Sequence, residues 1–365
     1  MAQGTVVTYA AGREGFLQTH EGITFTALAR LMAELKRYAF GGEYAEGQRY
    51  TGPLYFVPRE CLSQQQAEAL GIRRAEDLYG GIVPLGFAAT KVITHRLLNE
   101  GADRPPGWSQ AFAQAVEGEV LPGFTAFSPR DAREAGLRLL EQGPVRIKHP
   151  LAAGGRDQWV VASPGELATV LEPLAPEDLA RHGLVLEQDL SQVTTLSVGI
   201  IHFDGLTLAY HGTQRSTRDN FGHTVYGGSD LFVVTGDGEA LLRLEVPENI
   251  RRGIAQALAY DRAAVEHYGV IGSRRNYDVV MGVDSRGRPR SGVLEQSWRI
   301  GGASGAEVAA LLEFRRRQAR RLVHASCVEA YGGQAQPPPG ANVLFHGVAP
   351  ELGPLLKYSV VHETA

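Results

Sequence analysis

A hairpin of two apolar segments at residues 276–299 carries side chains that could bind a metal ion. Asp278 lies in the first predicted strand, and Glu295 and Ser297 lie at the end of the second. Because alternate residues of a strand share a face, Glu295 and Ser297 point the same way, and strand pairing would bring Asp278 beside them. Two adjacent carboxylates repel each other unless a cation neutralises them, and oxygen ligands suit Mg²⁺. The segment therefore predicts a magnesium site, although an ordinary surface hairpin with scattered acids has the same pattern.

A lysine followed by a glycine-rich loop indicates a second kind of chemistry. Lys148 ends the apolar segment 144–148, and Gly154 and Gly155 follow it. Burial of a lysine is costly unless its charge is paired, and a phosphate group would supply the opposite charge. Glycines also let backbone N–H groups approach phosphate oxygens closely. The pattern predicts a phosphate-binding loop that is not a Walker P-loop, with a solvent-reaching lysine at a strand edge as the alternative.

The composition is typical of a soluble protein with two or three subdomains: 365 residues, 44% of them hydrophobic and 21% charged. A net charge of −4 gives no reason to expect nucleic-acid binding. Neither the two distant cysteines, Cys61 and Cys327, nor any histidine pair has the spacing of a metal site. The start of the chain lacks the layout of a signal peptide, and no apolar run is long enough to span a bilayer. We therefore expect a cytoplasmic protein without nucleic-acid or membrane partners.

The elements that would position the candidate residues fall into three predicted parts. Residues 1–98 alternate strands and helices, as in a small α/β domain. Residues 99–188 contain short strands and two helices that begin with Ser-Pro, at Ser128 and Ser163. Residues 189–365 contain a second sheet that includes the hairpin.

Two segments of the third part carry further predictions. Residues 212–229 are polar, rich in glycine and too long for a tight turn, so we expect a functional loop that could act as a lid. Residues 306–331 are predicted to form a helix, and the arginine-rich stretch 315–321 falls on its solvated face. That stretch is therefore no evidence for nucleic-acid binding.

Over residues 87–304 the order of the motifs resembles that of the ATP-grasp superfamily. Four short motifs match in order: Val145-Arg-Ile-Lys148 before Gly154-Gly155, Leu186-Glu-Gln-Asp-Leu190 at an interlobe hinge, Ser197-Val-Gly199, and Glu295-Gln-Ser-Trp-Arg299. The resemblance implies an α+β fold in which two lobes, residues 99–188 and 189–365, clamp a nucleotide after a small N-terminal α/β domain. Within the superfamily the chain looks most similar to an uncharacterised bacterial family, so the resemblance does not supply a substrate.

The resemblance also implies roles for individual residues. The residues implied in nucleotide binding are Lys91, Lys148, Gly154, Gly155, Glu187, Gln188, Leu190 and Thr195, and those implied in Mg²⁺ binding are Asp278, Glu295 and Ser297. Lys91, Lys148 and the glycines would contact phosphates, and the hinge that begins at Glu187 would bind the adenine edge.

Two positions depart from the pattern of the superfamily. Thr195 stands near the place where an acid usually binds the ribose hydroxyls, and Ser297 replaces a metal-binding asparagine. An alcohol is a poorer Mg²⁺ ligand than an amide carbonyl, although it can act directly or through water. Both nucleotide affinity and metal binding therefore depend on what these two hydroxyls do.

Arginines are the candidate catalytic residues. Arg299, at the end of the last motif, would neutralise a transferring phosphoryl group by forked donation. Arg275 is predicted to bind a substrate carboxylate or an acyl phosphate. Further candidates for that role are Arg274, Arg215, Arg218, His211 and His223.

The motif set predicts an ATP- and Mg²⁺-dependent ligase that acts on two small molecules, a carboxylate and an amine. Lysines, arginines, glycines and two acids suit phosphoryl transfer, which depends on positioning and charge neutralisation. A small-molecule kinase on the same fold and a nucleotide-binding regulatory protein without turnover are the alternatives. A homodimer is compatible with all three.

Overall fold

The computed structural model describes residues 3–151 and 158–363. Its N-terminal layer is a parallel sheet in the order β2-β1-β3, against which α1 packs. The elements of this part are β1 (Thr5–Tyr9), α1 (His20–Lys36), β2 (Ala39–Glu43), β3 (Leu54–Pro58), β4 (Leu62–Ser63), α2 (Gln64–Ala69) and β5 (Gly81–Val83). The side chain of Thr19 caps the first turn of α1, and Arg37 ends that helix in a left-handed conformation.

The central part is an antiparallel sheet in the order β6-β9-β7-β8, with helices packed on it. Its elements are α3 (Gln110–Ala115), β6 (Gly123–Ala126), α4 (Pro129–Leu140), β7 (Val145–Lys148), β8 (Gln158–Val161), α5 (Pro164–Leu171), α6 (Pro176–His182) and β9 (Leu184–Gln188). As the Ser-Pro pairs predict, Ser128 and Ser163 accept hydrogen bonds from backbone N–H groups in the first turns of α4 and α5. Two 3₁₀ helices, Gly86–Ala89 and Lys91–Ile93, lead into this part.

The C-terminal part is built on a large antiparallel sheet in the order β15-β14-β10-β11-β12-β16-β18-β17. Its elements are β10 (Ser191–Phe203), β11 (Leu206–Arg218), β12 (Thr224–Thr235), α7 (Gly238–Leu242), α8 (Glu248–Tyr268), β13 (Ile271–Gly272), β14 (Arg274–Val283), β15 (Pro289–Ser297), α9 (Ser304–Arg316), β16 (Leu322–Tyr331), β17 (Asn342–Ala349) and β18 (Gly353–His362). Strand β13 lies outside this sheet and pairs with β5, so the N-terminal part is tied to the start of β14. Among the described residues, no helix is both long and apolar enough to cross a bilayer.

The two faces of the large sheet pack against different helices. Ile201 and Leu231 lie on the face that joins α1 and α9 in one core, which we call the α9 face. Leu196 and Val279 lie on the other face, where they pack against α8, and we call it the α8 face. Residues of a strand alternate between the two faces. Within any one strand, the odd-numbered and the even-numbered side chains therefore lie in different environments.

The predicted loop at residues 212–229 is wrong, because most of this segment is strand, and its role as a lid stays a prediction. β11 and β12 continue to pair as far as Arg218 and Thr224, and the turn between them is short. Asp219 organises that turn by accepting hydrogen bonds from the backbone N–H groups of Phe221 and His223. The segment is polar because this end of the hairpin is largely exposed, not because it lacks regular structure.

The predicted helix at residues 306–331 is correct only in its first half. Helix α9 ends at Arg316, and β16 begins at Leu322 after a turn. In β16, Val323, Ala325 and Cys327 alternate into the core of the α9 face, which is strand periodicity. Arginines occupy the break between the two elements and mask it in the sequence.

Candidate active site

The hairpin of β14 and β15 brings the two predicted acids together. Asp278 lies directly opposite Glu295 in the antiparallel register, and Asn276 lies opposite Ser297. Side chains at opposed positions have Cβ atoms about 4.5–5.5 Å apart. Tyr277 and Val279 belong to the core of the α8 face, so Asp278 projects from the α9 face, and Glu295 shares that side. We call Asp278 and Glu295 the carboxylate pair.

Neutral groups hold the carboxylate of Asp278 in place. Its Oδ1 accepts hydrogen bonds from the hydroxyl of Ser197 at 2.9 Å and from Nδ2 of Asn276 at 3.2 Å, and its Oδ2 accepts one from Nε2 of Gln214 at 3.1 Å. Burial and the nearby charge of Glu295 raise the pKa of Asp278 above its usual range. A divalent cation would remove both penalties, and carboxylate and hydroxyl oxygens fit a hard ion such as Mg²⁺.

Glu295 is also paired with one of the predicted lysines. Lys91 Nζ lies 2.8 Å from Oε2 of Glu295, and the lysine is only 5% exposed. About a third of the Glu295 side chain remains open to solvent. An ammonium group therefore lies beside the carboxylate pair, at the edge of an accessible region.

The segment that carries Lys91 is clamped between the central and C-terminal sheets. Gln296 of β15 donates to the carbonyl oxygens of Ala88 and Thr90 at 2.9 and 2.7 Å. On the other side, the hydroxyl of Thr125 in β6 donates to the carbonyl oxygen of Val92 at 2.6 Å. These bonds fix the position of Lys91 relative to both sheets.

His95, four residues after Lys91, contacts a second charged group, the carboxylate of Glu187 near the end of β9. Oε1 of Glu187 lies 2.5 Å from Lys148 Nζ, and its Oε2 lies 3.0 Å from Nε2 of His95. All three residues are at most 4% exposed. Burial alone would raise the pKa of Glu187, but Lys148 and His95 outweigh it and lower the pKa to about 2. We call Lys148, Glu187 and His95 the hinge cluster; nothing in the sequence motifs indicates His95.

The remaining predicted nucleotide-binding residues lie at the end of β9, in the link after it and in β10. The backbone N–H of Gln188 donates to the carbonyl oxygen of Pro122, and within the described residues its side-chain Oε1 is buried without a hydrogen-bond partner. Leu190 packs in a small apolar cluster with Leu121 and Val280. Thr195 of β10 lies two residues before Ser197, on the side of the strand that faces Asp278. Gly154 and Gly155 lie outside the described residues.

The structure separates the two arginines that the sequence predicts as catalytic. Arg299 is 39% exposed, with Nε 3.5 Å from a Glu60 carboxylate oxygen and Nη1 donating to the backbone. Arg275 instead points to the α8 face, where it forms a forked ion pair with Asp261 at 2.6 and 3.2 Å. Arg275 is three residues from Asp278, so strand alternation puts the two side chains on opposite faces. The structure therefore does not bring Arg275 to the carboxylate pair.

Behind the carboxylate pair lies a buried ionic network that is not apparent in the motifs. Arg274 forms a forked ion pair with Glu307 of α9, and both side chains are almost fully buried. The hydroxyl of Tyr210 lies 2.5 Å from Oε1 of Glu307 and 2.8 Å from Oδ1 of Asn276. Since Asn276 in turn donates to Asp278, the network orients the first acid of the pair.

Ser297 is held by the same network. Arg274 Nη1 donates to the carbonyl oxygen of Ser297 at 2.8 Å and approaches its hydroxyl oxygen at 3.3 Å. The hydroxyl therefore lies beside a fixed cation, which competes with any metal ion for its lone pairs.

Solved structures with the same architecture cover almost the whole chain. N5-carboxyaminoimidazole synthetase from Staphylococcus aureus complexed with ADP is 12% identical, with a TM-score of 0.56 over 99% of this chain and 94% of that one. A biotin carboxylase–β,γ-ATP complex from Campylobacter jejuni is 14% identical, with a TM-score of 0.54 over 99% and 88%. D-alanyl-alanine synthetase A from Vibrio cholerae is 13% identical, with a TM-score of 0.52 over 88% and 95%. All three are ATP-grasp enzymes, and at these identities the likeness shows the fold.

No curated protein matches the sequence. One family model does, and its match spans residues 8–359, nearly the full length. The chain therefore belongs to the family described as "Protein of unknown function (DUF3182)", and its fold is that of the ATP-grasp superfamily.

Proposed function

We propose that the protein is an ATP- and Mg²⁺-dependent ligase that joins a carboxylate to an amine. The carboxylate would take the terminal phosphoryl group of ATP to give an acyl phosphate and ADP. An amine would then attack the acyl carbon, forming an amide and releasing phosphate. The observation that carries the proposal is the carboxylate pair, two like charges held face to face with a buried lysine beside them.

The residues around the pair have the chemistry that this reaction needs. Asp278 and Glu295, with the hydroxyl of Ser297 nearby, would hold the Mg²⁺, and Lys91 and Lys148 would bind phosphate oxygens. When bound, Mg²⁺ with ATP supplies the phosphoryl group and neutralises its charge. Arg299, which is partly exposed, would bind the anionic substrate by forked donation.

The nucleotide base would lie along the hinge. Leu190 belongs to an apolar cluster against which a planar base can pack, and the buried Oε1 of Gln188 lies at the end of β9. Thr195 would reach the ribose, and Gly154 and Gly155 would approach the phosphates. A synthetase of similar structure that was solved with ADP supports a nucleotide in this fold.

A regulatory protein that binds nucleotide without turnover is the second candidate, and two contacts favour it. Ser297 stands where a metal-binding asparagine is expected, and Arg274 approaches its hydroxyl. Lys148 is already neutralised by Glu187, so a phosphate would have to compete for it.

Two measurements test these candidates in sequence. The first is thermal unfolding with ATP, ADP and GTP, each with and without Mg²⁺. A nucleotide at about a hundred times its dissociation constant should stabilise the protein by about 2.7 kcal/mol. The absence of a shift with any nucleotide, with or without Mg²⁺, would contradict both candidates.

The second measurement is ADP release over pools of carboxylates and amines. Release that requires both pools, with formation of an amide, is expected for the ligase. A phosphorylated product that persists with one pool alone would point to a kinase. Nucleotide binding without ADP release under any pool would support the regulatory protein.

A further inference from the structure

Four aromatic rings lie side by side on the α8 face of the large sheet. His211, Phe232, His324 and His362 come from β11, β12, β16 and β18, and each is directly opposite the next in the strand register. The ring of Phe232 stacks on His324 with centroids 4.6 Å apart, and His324 stacks on His362 at 4.3 Å. Phe232 is 40% exposed, so solvent reaches this row.

Next to the row, an acid joins two of the histidines. Asp230 precedes Phe232 by two residues and therefore lies on the same face of β12. One carboxylate oxygen of Asp230 and one ring nitrogen each of His324 and His362 lie within 4.8 Å of one another. These side chains come from three adjacent strands of a continuous sheet, so the backbone and not a loop sets their spacing.

We propose that Asp230, His324 and His362 bind a divalent transition-metal ion, of the zinc class, on the α8 face of the sheet. Imidazole nitrogens and a carboxylate are the ligands that such ions prefer, whereas Mg²⁺ prefers oxygen ligands alone. Ligand atoms around a tetrahedral ion with bonds of about 2.0–2.2 Å are about 3.4 Å apart, so each pair of ligand atoms would have to close by no more than about 1.4 Å. Because all three residues are partly exposed, a fourth position is open to water.

Neighbouring side chains hold the ligands in orientation. The hydroxyl of Ser326 donates to Oδ1 of Asp230 and lies 2.6 Å from Nε2 of His362, so it joins two of the three ligands. Arg215 Nε contacts Oδ2 of Asp230 at 2.6 Å. A carboxylate has about four lone-pair sites, which leaves acceptor positions for a metal ion beside these two bonds. Such supporting contacts typically change metal affinity by about 10–100-fold when they are removed.

The proposed ion lies on the opposite side of the sheet from the carboxylate pair, so the two sites are independent. It would cross-link β12, β16 and β18 near the end of β18, the last described strand. The expected consequence is a more stable C-terminal sheet with the metal bound. The sequence gives no sign of this site because its ligands are dispersed over residues 230–362 without local spacing.

The test is zinc binding to the untagged full chain after treatment with a chelator. The calorimetric titration is done in excess Mg²⁺, so that Mg²⁺ and not Zn²⁺ binds at the carboxylate pair. In a separate measurement, the absorption spectrum of bound Co²⁺ reports whether nitrogen ligands are present. We expect one equivalent of Zn²⁺ and a rise in melting temperature that the chelator reverses. His324→Gln, His362→Gln and Asp230→Asn should each weaken binding at least about tenfold, and Ser326→Ala about tenfold.

Matched variants separate this site from other zinc ligands. His211→Gln removes an imidazole from the same row but outside the proposed zinc ligands, and Asp278→Asn alters the carboxylate pair. Both variants should still bind one equivalent of Zn²⁺. Wild-type protein that binds no Zn²⁺ would overturn the proposal. Equal loss in His211→Gln and His362→Gln, with both variants folded by circular dichroism, would overturn it too.

Discussion

The segment 91–95 contacts the carboxylate pair through Lys91 and contributes His95 to the hinge cluster. The carboxyl groups of these two sites have opposite electrostatic surroundings. In the hinge cluster, Glu187 is surrounded by Lys148 and His95, all almost fully buried. In the carboxylate pair, Asp278 faces a second acid and is bonded by neutral hydroxyl and amide groups. One carboxyl has its pKa lowered to about 2, and the other has its pKa raised.

This contrast separates a framework from a binding site. A buried carboxylate that is paired with a buried ammonium group is satisfied by the fold, and removing one partner leaves a buried charge. Asp278 is bonded by neutral donors and repelled by Glu295, so its ionised form costs free energy until a further cation arrives, although Lys91 offsets part of the charge of Glu295. Substitution of Glu187 should therefore act mainly on stability, and substitutions in the carboxylate pair mainly on ligand binding.

The largest effect is expected for Asp278→Asn. Loss of a charged metal ligand should lower Mg²⁺-dependent ADP release by at least about a hundredfold. The free energy of unfolding should change by only about 1 kcal/mol. The neutral asparagine is a weaker acceptor for Gln214, but it is no longer repelled by Glu295, and the two effects offset each other. The measurements are ADP release and urea unfolding without nucleotide.

Asp204→Asn is the control for this variant. Asp204 lies in the turn between β10 and β11, where it pairs with Lys36, away from the carboxylate pair. Its replacement should leave ADP release unchanged. If Asp278→Asn keeps its Mg²⁺ dependence, the carboxylate pair does not hold the cation.

Glu187→Gln should have the next largest effect, and it should act on stability. The substitution leaves Lys148 buried without a counter-charge, which typically costs about 3–5 kcal/mol. Urea unfolding at neutral pH measures it. Glu134→Gln is the matched control, since Glu134 pairs with Arg138 at 2.5 Å on the surface of α4, where both side chains are more than 40% exposed, and should cost about 0–1 kcal/mol. Equal losses in the two variants would remove the distinction between a buried and an accessible ion pair.

Acid should remove the same stabilisation. The pKa of Glu187 is lowered from 4.5 to about 2, so its contribution is fully present above pH 4.5 and is lost as the pH falls toward 2. The shift corresponds to about 3 kcal/mol. Unfolding free energies of wild type and Glu187→Gln should therefore converge as the pH falls through this window. A difference that is independent of pH would show that Glu187 is not the ionised partner of Lys148.

How much of the carboxylate pair and the hinge cluster can be predicted from the sequence depends on how far apart the contacting residues lie along the chain. Asp278, Glu295 and Ser297 lie on one hairpin, where alternation and a short turn set the geometry. The same rule puts Arg275 on the other face, and applying it to that residue would have removed it from the candidates. Local periodicity thus predicts which residues share a face, provided that it is applied to every residue of the strand.

Contacts between distant segments cannot be read from periodicity. His95 and Glu187 are 92 residues apart, and Tyr210 and Glu307 are 97 apart. Their partners depend on how three sheets pack together, and no local pattern records that. The same holds for β16, whose alternation becomes decisive only beside β12 and β18.

The smallest effect is expected for Ser297→Asn, which tests whether the carboxylate pair has a third ligand. An amide carbonyl is a better ligand for Mg²⁺ than a hydroxyl, so the Mg²⁺ concentration needed for half-maximal nucleotide stabilisation should fall a few-fold. Stability should change little, because Arg274 donates mainly to the carbonyl oxygen of Ser297, which the substitution keeps. Thermal unfolding over a Mg²⁺ series at fixed ATP measures the effect, with Ser285→Asn in the β14–β15 turn as the control. An unchanged Mg²⁺ requirement would mean that the cation is held by Asp278 and Glu295 without position 297, and that Arg274 orients this residue for the fold alone.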